Sequence, residues 1–173
     1  EDNANDLSIV KKDNDKNHRG NASQFFIAGE LCRRGYVAVV TMGNCPNTDI
    51  LCSNREGTKF VHIQVKTFSP GHKTCSVGKK AEHDYGSNFF WILGGIPEPE
   101  SKRGFEYYIV PSSEMAYNVS DNFRIWLETP GKKKPHDIEN KFRALFLPPS
   151  ENLNGWNIGQ YLNSWNLIEE KLK

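Results

Sequence analysis

The segment Phe60-Val-His-Ile-Gln-Val-Lys-Thr67 alternates apolar and polar residues from Val61 onward. A period of two is the pattern of a strand, with Val61, Ile63 and Val65 on one face and His62, Gln64 and Lys66 on the other. Such a strand needs neighbours on both sides and a layer packed on its apolar face. The flanking sequence supplies both.

Tyr36–Val40 and Asp49–Cys52 are short runs fit for strands, and Ser53–Gly57 reads as a hairpin loop with glycine at the left-handed position. Further on, Phe89–Leu93 is a nearly continuous apolar strand, and Phe105–Val110 is another, closed by Pro111. Phe25, Ala28 and Cys32 share one helical stripe with Ile27 and Leu31 beside it. Asn21 and Ser23 offer N-cap groups there, and Gly35 offers a C-terminal stop. A short polar helix is predicted over about 77–85, a second from Ser112 or Ser113 toward Trp126, and an aromatic-rich helix over about 158–171. Lys141–Leu147 suits a short strand. The order α-β-β-β-α-β-β-α predicts an α/β fold with helices on a sheet.

The 173 residues suit one domain, residues 20–173, preceded by a polar N-terminal arm over 1–19 with few apolar groups. Lys and Arg total 22 against 21 Asp and Glu, which excludes an overall basic coat for nucleic acid but not a basic patch on one face. No apolar run approaches the length of a membrane span, and the first residues lack the layout of a signal peptide. Cys32, Cys45, Cys52 and Cys75 form no Cys-x-x-Cys pair and read as reduced thiols of a cytoplasmic protein.

Asp49 opens the second strand, and Gln64 and Lys66 lie two apart on the third, about 7 Å along one face. The connecting hairpin lets Asp49 face both. A carboxylate and an amide carbonyl are hard oxygen donors of the kind Mg²⁺ prefers, and a lysine beside them can offset charge on a phosphate. That is a constellation for metal-assisted phosphodiester hydrolysis. An ordinary strand with one wet face carries the same letters, so the periodicity alone leaves both readings open.

Gly20, the amphipathic helix, Gly35-Tyr36, Asn47-Thr-Asp49-Ile-Leu51 and Ile63-Gln64-Val65-Lys66-Thr67 together resemble the PD-(D/E)xK nuclease superfamily over about residues 20–67. The resemblance implies the restriction-endonuclease-like αβββαβ core, a mixed central sheet flanked by helices, here with extra C-terminal helices. It implies a metal-dependent DNA endonuclease of the variant in which Gln replaces the second acid. Asp49 and Gln64 would then be metal ligands for Mg²⁺ (or Mn²⁺), Lys66 the catalytic lysine and DNA the partner. Double-strand cutting would make a homodimer an option.

One position departs from the family pattern. Relatives carry Glu four residues after the leading Gly, and here that position is Gln24. Glu30 lies six residues further, about 240° around the helix. Glu82 and Asp84 are the other candidate acids for that role. Without them Asp49 would be the sole carboxylate, which favours the alternatives: an inactive nuclease-fold nucleic-acid-binding module, or a scaffold for a protein partner. Lys73, Lys79 and Lys80, with His72 and His83, are weaker candidates for phosphate contacts, balanced against a plain solvated face. Lys132–Lys134 reads as an exposed turn or a DNA-clamping loop, and Phe89, Phe90, Trp91, Tyr107 and Tyr108 as core.

Overall fold

The computed structural model describes residues 4–42, 45–131 and 135–173, with side chains from residue 17 onward. The basic run Lys132–Lys134, and Gly43 and Asn44, lie outside the described residues.

Helix α1 runs from Ala4 to Arg33. The buried stripe of its C-terminal part is Ile27, Ala28 and Leu31, whereas Phe25 and Cys32, placed on that stripe from the sequence, are exposed because the sheet meets the helix on the Ile27–Leu31 side. Asn21 and Ser23 sit inside the helix rather than capping it, because the chain ahead of them is already helical. The stop is as the sequence suggests. Gly35 takes a φ of 93°, its N–H donates to Cys32 at 2.9 Å, and the Tyr36 N–H donates to Leu31 at 3.1 Å. Two orphan carbonyls of the last turn are satisfied that way.

Seven strands follow: β1 Val37–Val40, β2 Ile50–Ser53, β3 Phe60–Phe68, β4 Thr74–Ser76, β5 Phe89–Gly95, β6 Glu106–Pro111 and β7 Ala144–Phe146. Five of them make the central sheet in the order β1-β2-β3-β5-β6, parallel only between β3 and β5. β5 is buried along its whole length, which explains its unbroken apolar sequence. β4 and β7 form a separate two-stranded ribbon.

Each face of the sheet has its own core. Ile50, Val61, Ile63, Ile92 and Ile109 pack against Ile27 and Leu31 of α1 and Ile168 of α3, Asn166–Leu172. On the opposite face Phe68, Trp91, Leu93 and Val110 pack against Met115 and Val119 of α2, Ser112–Glu128, and against Leu145 of the ribbon.

Two helices differ from the sequence reading. The crossover from β3 to β5, expected to be helical over about 77–85, holds one 3₁₀ turn, Lys79–Glu82, entered through Gly78 at a φ of 76°. The C-terminal helix is split into a 3₁₀ turn, Ile158–Tyr161, and α3. The break lies where Asn163 takes a φ of 53° and donates its N–H to Tyr107 at 2.7 Å, so the chain bonds to the β6 edge instead of continuing the helix. Among the described residues no helix is long and apolar enough to cross a membrane. All four cysteines are free, Cys52 and Cys75 buried.

Candidate functional site

β3 alternates as its sequence dictates, with Val61, Ile63 and Val65 buried and Phe60 and His62 exposed. Gln64 and Lys66 are half-buried on the same face as His62. α2 covers the β5 and β6 side of that face and β4 of the ribbon lies against β3, while Phe60 and His62 at the start of β3 stay exposed.

Asp49 immediately precedes β2 and continues its register. Ile50 pairs with Ile63, so Asp49 stands opposite Gln64. Its N–H donates to Ile63 at 2.9 Å and its carbonyl accepts from Thr41 N–H at 2.9 Å, which fixes the backbone from both neighbours. Thr41 Oγ1 also donates to the Thr48 carbonyl at 2.6 Å. On the side chain, Asp49 Oδ2 accepts from the Gln64 amide Nε2 and from the Val65 N–H, the latter at 2.7 Å. Among the described residues neither Asp49 Oδ1 nor Gln64 Oε1 has a hydrogen-bond partner.

Burial pushes the Asp49 carboxyl above its ordinary value, while the Val65 N–H and the charges of Lys66 and Lys80 act against that rise. The net shift is upward because desolvation outweighs those three. Lys80 reaches this region from the crossover turn, where its Nζ donates to the Pro46 carbonyl at 2.7 Å. His62 adds an exposed ring whose Nδ1 lies 3.2 Å from Thr48 Oγ1.

The structure thus brings Asp49 and Gln64 into direct contact, with Lys66 close enough for its charge to act on Asp49. The other acids weighed from sequence have partners elsewhere. Glu30 is held by Arg33 and Arg34 at 2.8 Å each, on the helix behind the opposite face of the sheet. Glu82 pairs with Arg143 at 2.6 Å, and Asp84 accepts from the Gly86 N–H at 2.9 Å. Gln24, half-buried on α1, makes no hydrogen bond to Asp49, Gln64 or Lys66. Among the described residues no group of three or more His, Cys, Asp or Glu could hold a metal ion. Lys73 and Lys79 are exposed. Sequence reasoning missed Thr41, Thr48 and Pro46 as supports of the acid, since no periodic pattern marks them.

The oxygen donors suit a hard divalent cation in kind. Two oxygens without partners face a pair of side chains that are in contact, and the carboxylate is destabilised by desolvation. In charge they supply one negative unit.

No protein-family model and no curated protein sequence matches the chain. Among solved structures, it is similar to a bacterial homing endonuclease, I-Ssp6803I, with a TM-score of 0.51 and 15% identity, covering 90% of this chain and 92% of that one. At that identity the likeness shows the fold: a five-stranded mixed sheet flanked by helices, of nuclease-like architecture.

Proposed function

We propose that the chain is a divalent-metal-dependent DNA endonuclease of the Gln-x-Lys variant of the PD-(D/E)xK superfamily. The observation that carries this reading is the contact of Asp49 with Gln64 on the open face of the sheet that Lys66 shares. The nuclease-like fold is consistent with it.

Asp49 and Gln64 would hold Mg²⁺ or Mn²⁺ through Oδ1 and Oε1. When bound, the ion supplies Lewis acidity, making water more acidic and polarising a phosphate. Asp49 is then stabilised in its charged form, which burial alone disfavours. Lys66 donates to a phosphate oxygen and offsets charge as it develops in the transition state. Lys80, tied to the loop ahead of Asp49, keeps that loop in place and adds positive charge for the incoming backbone. Lys73 and Lys79 extend the basic surface along the crossover.

Plasmid cleavage in Mg²⁺ and in Mn²⁺, comparing wild type with Asp49→Ala and Lys66→Ala, tests the proposal. Both variants should lose activity by at least about a hundredfold while keeping the wild-type circular dichroism spectrum. Full activity in Lys66→Ala sinks the assignment.

The single carboxylate favours a second reading, a nuclease-fold module that holds nucleic acid without cutting it. Calorimetric titration with Mn²⁺ separates the two. The enzyme binds the ion through Asp49 and loses that heat in Asp49→Ala, whereas a binding module shows none.

A further inference from the structure

The register of β1, β2 and β3 aligns side chains that are far apart in sequence. Val37 pairs with Ser53 and Ser53 with Phe60; Val39 pairs with Leu51 and Leu51 with His62. Directly opposed residues point to the same face of a sheet. Val37, Val39, Leu51, Phe60 and His62 therefore share the face that holds Asp49, Gln64 and Lys66. The opposite set (Ala38, Ile50, Cys52, Val61 and Ile63) packs toward α1.

The patch is open. Val37 is 47% exposed, Val39 57% and Phe60 43%, and among the described residues the Phe60 ring stacks on no other aromatic. Val37, Val39, half-buried Leu51 and Phe60 are neighbours across three strands and adjoin the polar Asp49–Gln64 pair, and a contiguous apolar patch of that kind marks a ligand surface. Charge narrows the choice of ligand. Exposed Arg55 and Lys59, with Glu56 between them, border the patch on the hairpin loop, and Lys66 and Lys80 lie beside Asp49 at its other end, so cations outnumber acids four to two. A second copy placed face to face would bring these cations together, whereas a polyanion with apolar planar groups matches both features.

Phe60 stands four residues before Gln64, about 13 Å along the strand. That span is about four steps of a B-form strand and fewer of an extended one. Bases inside a duplex keep their faces covered by their neighbours, so a ring on a flat sheet can stack only on an unpaired base. We infer that the β1–β2–β3 face is a stacking platform on which Phe60, flanked by Val37, Val39 and His62, holds an unpaired base of the nucleic acid whose backbone passes Asp49 and Lys66. This inference rests on the proposed nuclease reading and deepens it: DNA with an unpaired base beside the cut, as in gaps, flaps and single-stranded stretches, is held more tightly than fully paired duplex.

The test is fluorescence anisotropy in EDTA with a labelled 20-nucleotide single strand and the matching 20-bp duplex. It compares wild type, Phe60→Ala and Phe60→Trp, with sedimentation velocity on each protein. Phe60→Ala should bind the single strand about 5- to 100-fold more weakly, with duplex affinity unchanged and Phe60→Trp close to wild type. Equal losses on both probes, or no loss on either, overturn the stacking role while leaving the nuclease reading intact. A wild-type dimer that Phe60→Ala turns into a monomer identifies the patch as a self-interface and also overturns it. Wild type binding neither probe rejects the nuclease reading together with the inference.

Discussion

Gln64 donates its side-chain amide to the same Asp49 oxygen that accepts the Val65 N–H. The arrangement leaves Asp49 Oδ1 and Gln64 Oε1 without partners among the described residues. As a donor the amide neutralises no charge, but it holds the carboxylate without repulsion.

Gln64→Glu follows directly. Without a cation, the new carboxylate faces Asp49 and the donor to Oδ2 is lost. Stability should fall by about 1–3 kcal/mol, and the melting temperature by about 2–4 °C for each kcal/mol. The deficit should shrink as pH falls, because like charges raise one of the two pKa values. Thermal melts in EDTA and in Mn²⁺ check this, since the doubled charge should tighten Mn²⁺ binding and restore stability. A variant as stable as wild type in EDTA would place the two side chains farther apart than described.

The Asp49 carboxyl is held above its ordinary value of 3.8. The folded chain therefore binds that proton more tightly than the unfolded chain does. A raised carboxyl pKa costs stability above the folded pKa, and the cost disappears below 3.8. Asp49→Asn should melt higher than wild type near neutral pH and equal to it below the ordinary Asp range. Mn²⁺ should raise the melting temperature of wild type alone. A less stable Asn variant near neutral pH would show that hydrogen bonds to the charged oxygen outweigh its desolvation.

Legibility in the sequence followed physical period. β3 could be read because alternation over Val61–Thr67 has no competing explanation, and Gly35 because a helix stop needs a left-handed residue. Asp49 opposite Gln64 could be read because a short hairpin fixes the register. β4 could not be, since Thr74-Cys-Ser76 has little apolar character of its own and is a strand through its pairing with distant β7. Nor could the Lys80 bond to Pro46, which spans 34 positions and depends on where the crossover lands. The break at Asn163 comes from pairing with β6, a tertiary contact that local propensity does not encode.

Ser23 and Gly94 make a pair of opposite strain. The Ser23 hydroxyl is fully buried without a partner among the described residues, and a Cβ at position 94 would strike it. Gly94→Ala should cost about 1–3 kcal/mol, whereas Ser23→Ala, which removes an unsatisfied hydroxyl, should be neutral or stabilising. In the double variant most of the Gly94→Ala cost should vanish. Urea denaturation of the four proteins gives the coupling, and strict additivity would show that the hydroxyl is not what excludes a side chain at 94.

Arg143 connects the ribbon to the crossover turn that carries Lys80. Its side chain is 4% exposed, its Nε donates to Glu82 at 2.6 Å, its Nη1 donates to the Asn140 and Phe142 carbonyls, and its guanidinium carbon lies 3.2 Å above the Phe123 ring. Glu82→Ala leaves that buried charge without its counter-ion and should cost about 3 kcal/mol. Arg143→Met in the Glu82→Ala background removes the orphaned charge and should recover part of the loss. Because Glu82 ends the turn that begins with Lys79 and Lys80, Glu82→Ala should also weaken nucleic-acid binding in EDTA, and the double variant should not restore it fully. Recovery of binding in step with stability would mean that the pair acts on the fold alone and does not place Lys80.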